Sequence, residues 1–169
     1  MRPTLRTAVI AAIAALTALA PSACGKSGGT KSAGSSNSTA AAGAGKAGTK
    51  PTVTVPSGPA PTTLQKQDLI VGTGAEAVAG KKVSVQYVGV SYSTGKQFDA
   101  SWDRGQPFSF TLGEGDVIKG WDQGVPGMKV GGRRQLVIPP DLAYGPAGAP
   151  PDIGPNETLV FVVDLLSVS

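Results

Sequence analysis

The sequence predicts an α+β fold, an antiparallel β-sheet of about five strands wrapped around one short α-helix. Three observations predict it. Residues 83–90 and 108–112 alternate apolar and polar side chains, the pattern of strands with one buried face. Residues 158–168 are almost continuously apolar, as a central strand buried on both faces would be. Only residues 117–125, with Trp121 at their centre and Gly120 and Gly124 beside it, read as a helix.

Taken in order, the folded part begins near Thr62. Asp68 to Val71 is an apolar strand end that runs into a turn at Gly72, Thr73 and Gly74. The strand at 83–90 places Val83, Val85 and Tyr87 on one face, and Ser93, Thr94, Gly95 and Lys96 form a hairpin-type turn after it. Residues 97–101 follow, then a polar bend at Trp102, Asp103, Arg104, Gly105 and Gln106. The helix at 117–125 has Asp116 in position to cap its N-terminus. Residues 133–138 form a strand that Pro139 and Pro140 stop. Residues 139–157 are a long Pro- and Gly-rich loop, a length that usually marks function or disorder.

Composition divides the 169 residues unequally. All nine aromatic residues fall at or after Tyr87. The first sixty are rich in Ala, Gly, Ser, Thr and Pro, and bury too little apolar surface to offset backbone ordering. This gives three parts: a leader at 1–23, a flexible linker at 24–61 and a domain at 62–169. The net charge of +4 suggests nucleic acid until it is partitioned. Six of the fifteen basic residues and no acidic ones lie in 1–59, which leaves nine basic against eleven acidic in the remainder. The domain thus lacks the basic face that nucleic-acid binding needs. The absence of histidine and the single cysteine, Cys24, argue against an internal disulfide, a His-based triad and the usual zinc sites, and no metal or cofactor is expected.

Arg2 and Arg6 precede an apolar run at 7–20, too short for a membrane span and laid out like a secretory signal. It ends at Ala23 and Cys24, which resembles a bacterial lipoprotein lipobox, although Pro21 stands where a leucine is usual. Cys24 is therefore the expected lipidation site. The expected location is the outer face of the bacterial cytoplasmic membrane, or otherwise secretion. A coil of about 36 residues after it has an end-to-end distance of roughly 30–36 Å. Nothing in the sequence demands more than a monomer.

Tyr87, Phe98, Asp99, Val117, Ile118, Lys119, Gly120, Trp121, Gly127, Met128, Gly131, Ala143, Tyr144, Gly145, Leu159, Val160 and Phe161 stand in an order and spacing that closely resemble FKBP-type peptidyl-prolyl cis-trans isomerases. The resemblance runs from about Asp68 to Val168. It implies an antiparallel sheet around a helix with a pocket between them. It implies isomerisation of X–Pro bonds in polypeptides without cofactor, metal or covalent intermediate, and binding of macrolides such as tacrolimus and rapamycin.

By that resemblance Trp121 is the floor for the proline ring, and Tyr87, Phe98, Phe108, Val117, Ile118 and Phe161 are walls. The Ile118 backbone N–H and the Tyr144 hydroxyl donate to the bound chain, Asp99 faces the twisted carbonyl, Arg104 holds Asp99 and Tyr87, and Ile153 makes an apolar loop contact. Each residue alone has a plainer role: Trp121, Phe108 and Phe161 as core, Tyr87 as a strand tyrosine, Asp99 and Arg104 as a surface ion pair. The sequence departs from many relatives at Ala149, where a histidine is common, and Pro150, Pro151 and Asp152 stiffen that loop and charge its rim. Trp102 either extends the groove or covers the bend. The role implied is folding of exported proteins. The rival is a non-catalytic FKBP-like module that binds peptides as a chaperone would.

Overall fold

A computed structural model describes residues 47–169. The leader, Cys24 and linker residues 24–46 lie outside the described residues. The chain forms strands β1 (Gln65–Ile70), β2 (Lys82–Ser91), β3 (Gln97–Ala100), β4 (Phe108–Thr111), β5 (Arg133–Ile138) and β6 (Leu159–Val168), with one α-helix, α1 (Lys119–Gly124), between β4 and β5. Six strands stand where about five were expected. The sheet order is β1-β5-β6-β2-β3, with β4 also paired to β2, and every pairing is antiparallel. At the expected turn between β2 and β3, the Gly95 N–H donates to the Ser91 carbonyl at 2.8 Å, and Gly95 takes φ +68°.

The strand period sorts side chains onto two faces. Val83, Val85 and Tyr87 of β2 join Leu136, Ile138, Leu159, Phe161, Val163 and Leu165 on the inner face, around α1. Val88, Val90, Ala100, Val137 and Val160 form a smaller buried cluster on the outer face. β6 is buried on both faces through Leu165, as its continuous apolar run predicts. β2 goes beyond the expected half-burial, because its second half is covered on both sides.

The outer cover is a correction to the expected linker. Residues 47–61 lie against the sheet, with Pro51 buried and Val53 and Val55 packed on the outer cluster. Hydrogen bonds fix this strap: Gly48 N–H to Asp164 Oδ2 at 3.1 Å, an Arg133 guanidinium N–H to the Thr49 carbonyl at 2.6 Å, and Gln135 Nε2 to the Thr54 carbonyl at 2.9 Å. The physical reason is local alternation. Pro51, Val53 and Val55 face in while Thr52 and Thr54 face out, a strand-like period inside a composition that reads as coil.

The helix also differs from expectation at its start. Asp116 does not cap it. Ile118 is the N-cap, with extended backbone (φ −59°, ψ 147°) and no side-chain capping bond. Asp116 Oδ2 instead accepts the Thr111 N–H at 3.1 Å. A helix of six residues cannot stand on propensity and depends on tertiary support. Arg134 supplies it at the C-terminal end, donating to the Gly124 carbonyl at 2.8 Å and the Pro126 carbonyl at 3.0 Å while paired with Asp68.

Gly120 and Gly124 set the distance of α1 from β5. A Cβ on Gly120 would lie 2.3 Å from Ile138 Cγ2, and one on Gly124 would lie 2.8 Å from Leu136 Cδ1. Trp102, from the bend after β3, packs on the outer cluster, so it covers the bend and does not extend the groove.

Candidate active site

Between α1 and the inner face lies a cavity of about 410 Å³ lined by Tyr87, Phe98, Asp99, Phe108, Asp116, Val117, Ile118, Trp121, Tyr144 and Phe161. Elements distant in sequence supply it: β2, β3, β4, the start of α1, the loop after β5, and β6.

Trp121 is 4 % exposed and stands edge-on to the surrounding rings: 5.0 Å and 85° to Tyr87, 5.3 Å and 89° to Phe161. Phe98 meets Phe161 at 5.5 Å and 87°. Edge-to-face packing of this kind stiffens an aromatic cluster beyond what burial alone gives. The Trp121 indole N–H is buried without an acceptor.

The polar side of the cavity is a three-membered network. The Tyr87 hydroxyl donates to Asp99 Oδ2 at 2.5 Å, an Arg104 N–H donates to the Tyr87 hydroxyl at 2.8 Å, and Arg104 is ion-paired with Asp99. Burial, first, and the hydrogen bond to Asp99, second, push the Tyr87 phenol up to about 12, against a smaller opposing pull from Arg104. The bonds to Tyr87 and then Asp99 raise the Arg104 guanidinium above its ordinary value. At neutral pH the site thus holds a neutral phenol, and Arg104 stays charged.

Two residues that line the cavity carry donors without protein partners among the described residues. Among the described residues, no acceptor takes the Ile118 N–H or the Tyr144 hydroxyl. Tyr144 is 42 % exposed, so its hydroxyl is available at the rim. No group of three His, Cys, Asp or Glu side chains that could hold a metal occurs among the described residues.

The structure brings together nearly all the residues expected at the site. Arg104 reaches it through Asp99 and Tyr87 and does not line it. Ile153 is not among the residues that line the cavity: it packs in the inner core at 5 % exposed, as buried as Trp121 and Phe161, and its backbone pairs with that of Ala149 at 2.9 and 3.0 Å. Two residues were missed. Asp116 lines the cavity with a carboxylate anchored on the Thr111 amide. Gly89 lets Phe98 and Phe161 lie over β2, because a Cβ there would sit 2.7 Å from each ring. A glycine inside a strand pattern is the signal that would have found it.

Comparison with known proteins agrees with this geometry. Residues 74–166 match the family model described as FKBP-type peptidyl-prolyl cis-trans isomerase. The chain is 58 % identical over 120 residues to an FK506-binding protein of Streptomyces anulatus, covering 70 % of this chain and 97 % of that one. It is 55 % identical over 118 residues to a probable FK506-binding protein of Corynebacterium glutamicum, covering 70 % and 98 %. The crystal structure of AtFKBP13 superposes with a TM-score of 0.59 at 42 % identity, covering 65 % of this chain and 96 % of that one.

Proposed function

The chain belongs to the FKBP-type peptidyl-prolyl cis-trans isomerase family and is a peptidyl-prolyl isomerase; from that premise we propose that it acts on proline-containing polypeptides through the inner-face cavity. The carrying observation is that an aromatic floor and walls, two unengaged donors and the Tyr87–Asp99–Arg104 network converge on one cavity.

Rotation about a peptide bond costs about 18–20 kcal/mol, because the amide loses resonance when it twists. For an X–Pro bond the two planar states are nearly level, so catalysis needs only tighter binding of the twisted bond. A thousandfold acceleration asks for about 4 kcal/mol of such differential binding.

In this reading the proline ring rests on Trp121 between Phe161 and Tyr87. The Ile118 N–H and the Tyr144 hydroxyl hold the flanking carbonyls and fix the chain on either side of the rotating bond. The twisted carbonyl has lost amide polarity, and the apolar wall of Phe98 and Phe161 suits it better than water does. Asp99, held by Tyr87 and Arg104, lies beside that carbonyl without moving a proton. No covalent intermediate is required.

The same cavity accounts for the naming of the two relatives after FK506, and we extend macrolide binding of the tacrolimus and rapamycin type to this chain. We also read the protein as a monomer exported by its leader and anchored through lipid on Cys24, assisting the folding of exported chains whose prolyl steps are slow. The support is the Arg2–Arg6 charge, the short apolar run and the lone cysteine after small residues. Membrane fractionation of Cys24→Ala tests the anchor: release to the soluble fraction is expected, and unchanged partitioning opposes it.

A proline-limited refolding assay with and without tacrolimus tests the activity. Acceleration that tacrolimus abolishes is expected. Saturable peptide binding with no acceleration would make the domain a non-catalytic module.

A further inference from the structure

The one-turn 3-10 helix Ser101–Arg104 is gripped from two sides. On the cavity side, Arg104 binds Asp99 and Tyr87, and the Tyr87 N–H donates to Ser101 Oγ at 2.8 Å. On the outer side, Lys50 of the strap is ion-paired with Asp103, whose other oxygen accepts from Gln97 Nε2 at 2.7 Å. Trp102, Val53 and Val55 pack on the same outer cluster. The turn is therefore the piece of chain through which the strap and the site share contacts, and it leaves the site through Gly105 in left-handed conformation. Lys50, first, and Gln97, second, hold the Asp103 carboxyl below the ordinary range.

We propose that the strap is a working part of the isomerase, and that Lys50 and Asp103 are positioning residues that hold Arg104 against Asp99 and Tyr87. Other bonds of the strap run to Asp164, Arg133, Gln135 and Tyr92 on the outer side. Its far end is already fixed there, so Lys50 approaches Asp103 from a settled backbone. A segment that peels residues 47–55 from the sheet would lower turnover without entering the cavity. The inference rests on Tyr87 and Asp99 being substrate-facing groups.

The test uses the full-length chain and a proline peptide substrate, with kcat and KM measured separately. Lys50→Ala, and Lys50→Ala combined with Val53→Ser and Val55→Ser, are compared with Lys50→Arg and with the charge swap Lys50→Asp plus Asp103→Lys. Losses of about two- to thirtyfold in kcat, the range of coupling through packed networks, are expected with KM nearly unchanged. Lys50→Arg and the charge swap should restore kcat, and added salt should bring the wild type toward Lys50→Ala, because the pair is half exposed. Unchanged kcat in the folded triple variant would overturn the proposal. So would a loss that only follows the folded fraction measured by circular dichroism. Asp99→Val is run alongside: if it retains full kcat, the reading of the site fails; if it loses kcat while the strap variants do not, only the positioning role fails.

Discussion

Asp99–Arg104 and Asp164–Arg133 are the same chemical pair in two settings. The first stands at the cavity with side chains 39 % and 50 % exposed, and shares its charges with the Tyr87 hydroxyl. The second joins register partners on β6 and β5, is 3 % and 0 % exposed, and makes two parallel bonds at 2.5 and 2.7 Å. The strap roofs it with the Gly48 amide and the Thr49 carbonyl. An exposed pair contributes about 0–1 kcal/mol to stability but leaves its charge where a substrate can meet it. A buried pair contributes little net, yet becomes expensive to break, because the survivor is left charged in an apolar setting. One face of the sheet is thus arranged for chemistry and the other for holding the strap.

Breaking the buried pair should give the largest effect. Arg133→Ala is expected to lose about 3–5 kcal/mol of stability, read by urea unfolding. A stability loss below about 1 kcal/mol would erase the contrast. Next comes Gly120→Val, which drives a side chain into Ile138 and should cost about 1–3 kcal/mol together with activity, since α1 carries Trp121.

Asp99→Asn sharpens the other side of the comparison. It should change stability by less than about 1 kcal/mol and reduce kcat/KM about tenfold, equivalent to about 1.4 kcal/mol of transition-state binding. The smallest effect is spectroscopic. The difference between wild-type and Tyr87→Phe alkaline titrations should isolate a phenol ionising near pH 12. Asp99→Asn should move it down and Arg104→Ala up, because Asp99 raises this phenol and Arg104 lowers it. The folded value lies above that of a free tyrosine. Stability from this group is therefore complete below about pH 10 and declines as pH rises toward about 12.

The legible and illegible parts of the chain divide along the same faces. The inner face was readable because β2 and β4 announce themselves by period and β6 by its continuous apolar run, and because Trp121, Tyr144, Phe161 and Asp99 hold spacings that fit one family. The outer face was not. Most of β1 is exposed, so no apolar alternation marks it, and its pairing with β5 is set by the backbone ladder. The strap hides its Pro51, Val53 and Val55 alternation in a stretch whose composition reads as coil. Asp116 sits where a helix cap belongs, but Val117 lies in a bend and Ile118 stays extended, which leaves Asp116 to bind Thr111 and line the cavity. Ile153 joins the inner core with Trp121 and Phe161, its loop closed on Ala149 by backbone bonds that no sequence pattern announces.

The rate of a proline-limited refolding reaction tests the central claim most directly. It should be compared at equal concentrations of folded wild type and the double variant Asp99→Val, Phe161→Ala. Strong acceleration by the wild type and little by the variant is the predicted result. Equal acceleration by both would contradict the assignment of the inner-face cavity as the catalytic site.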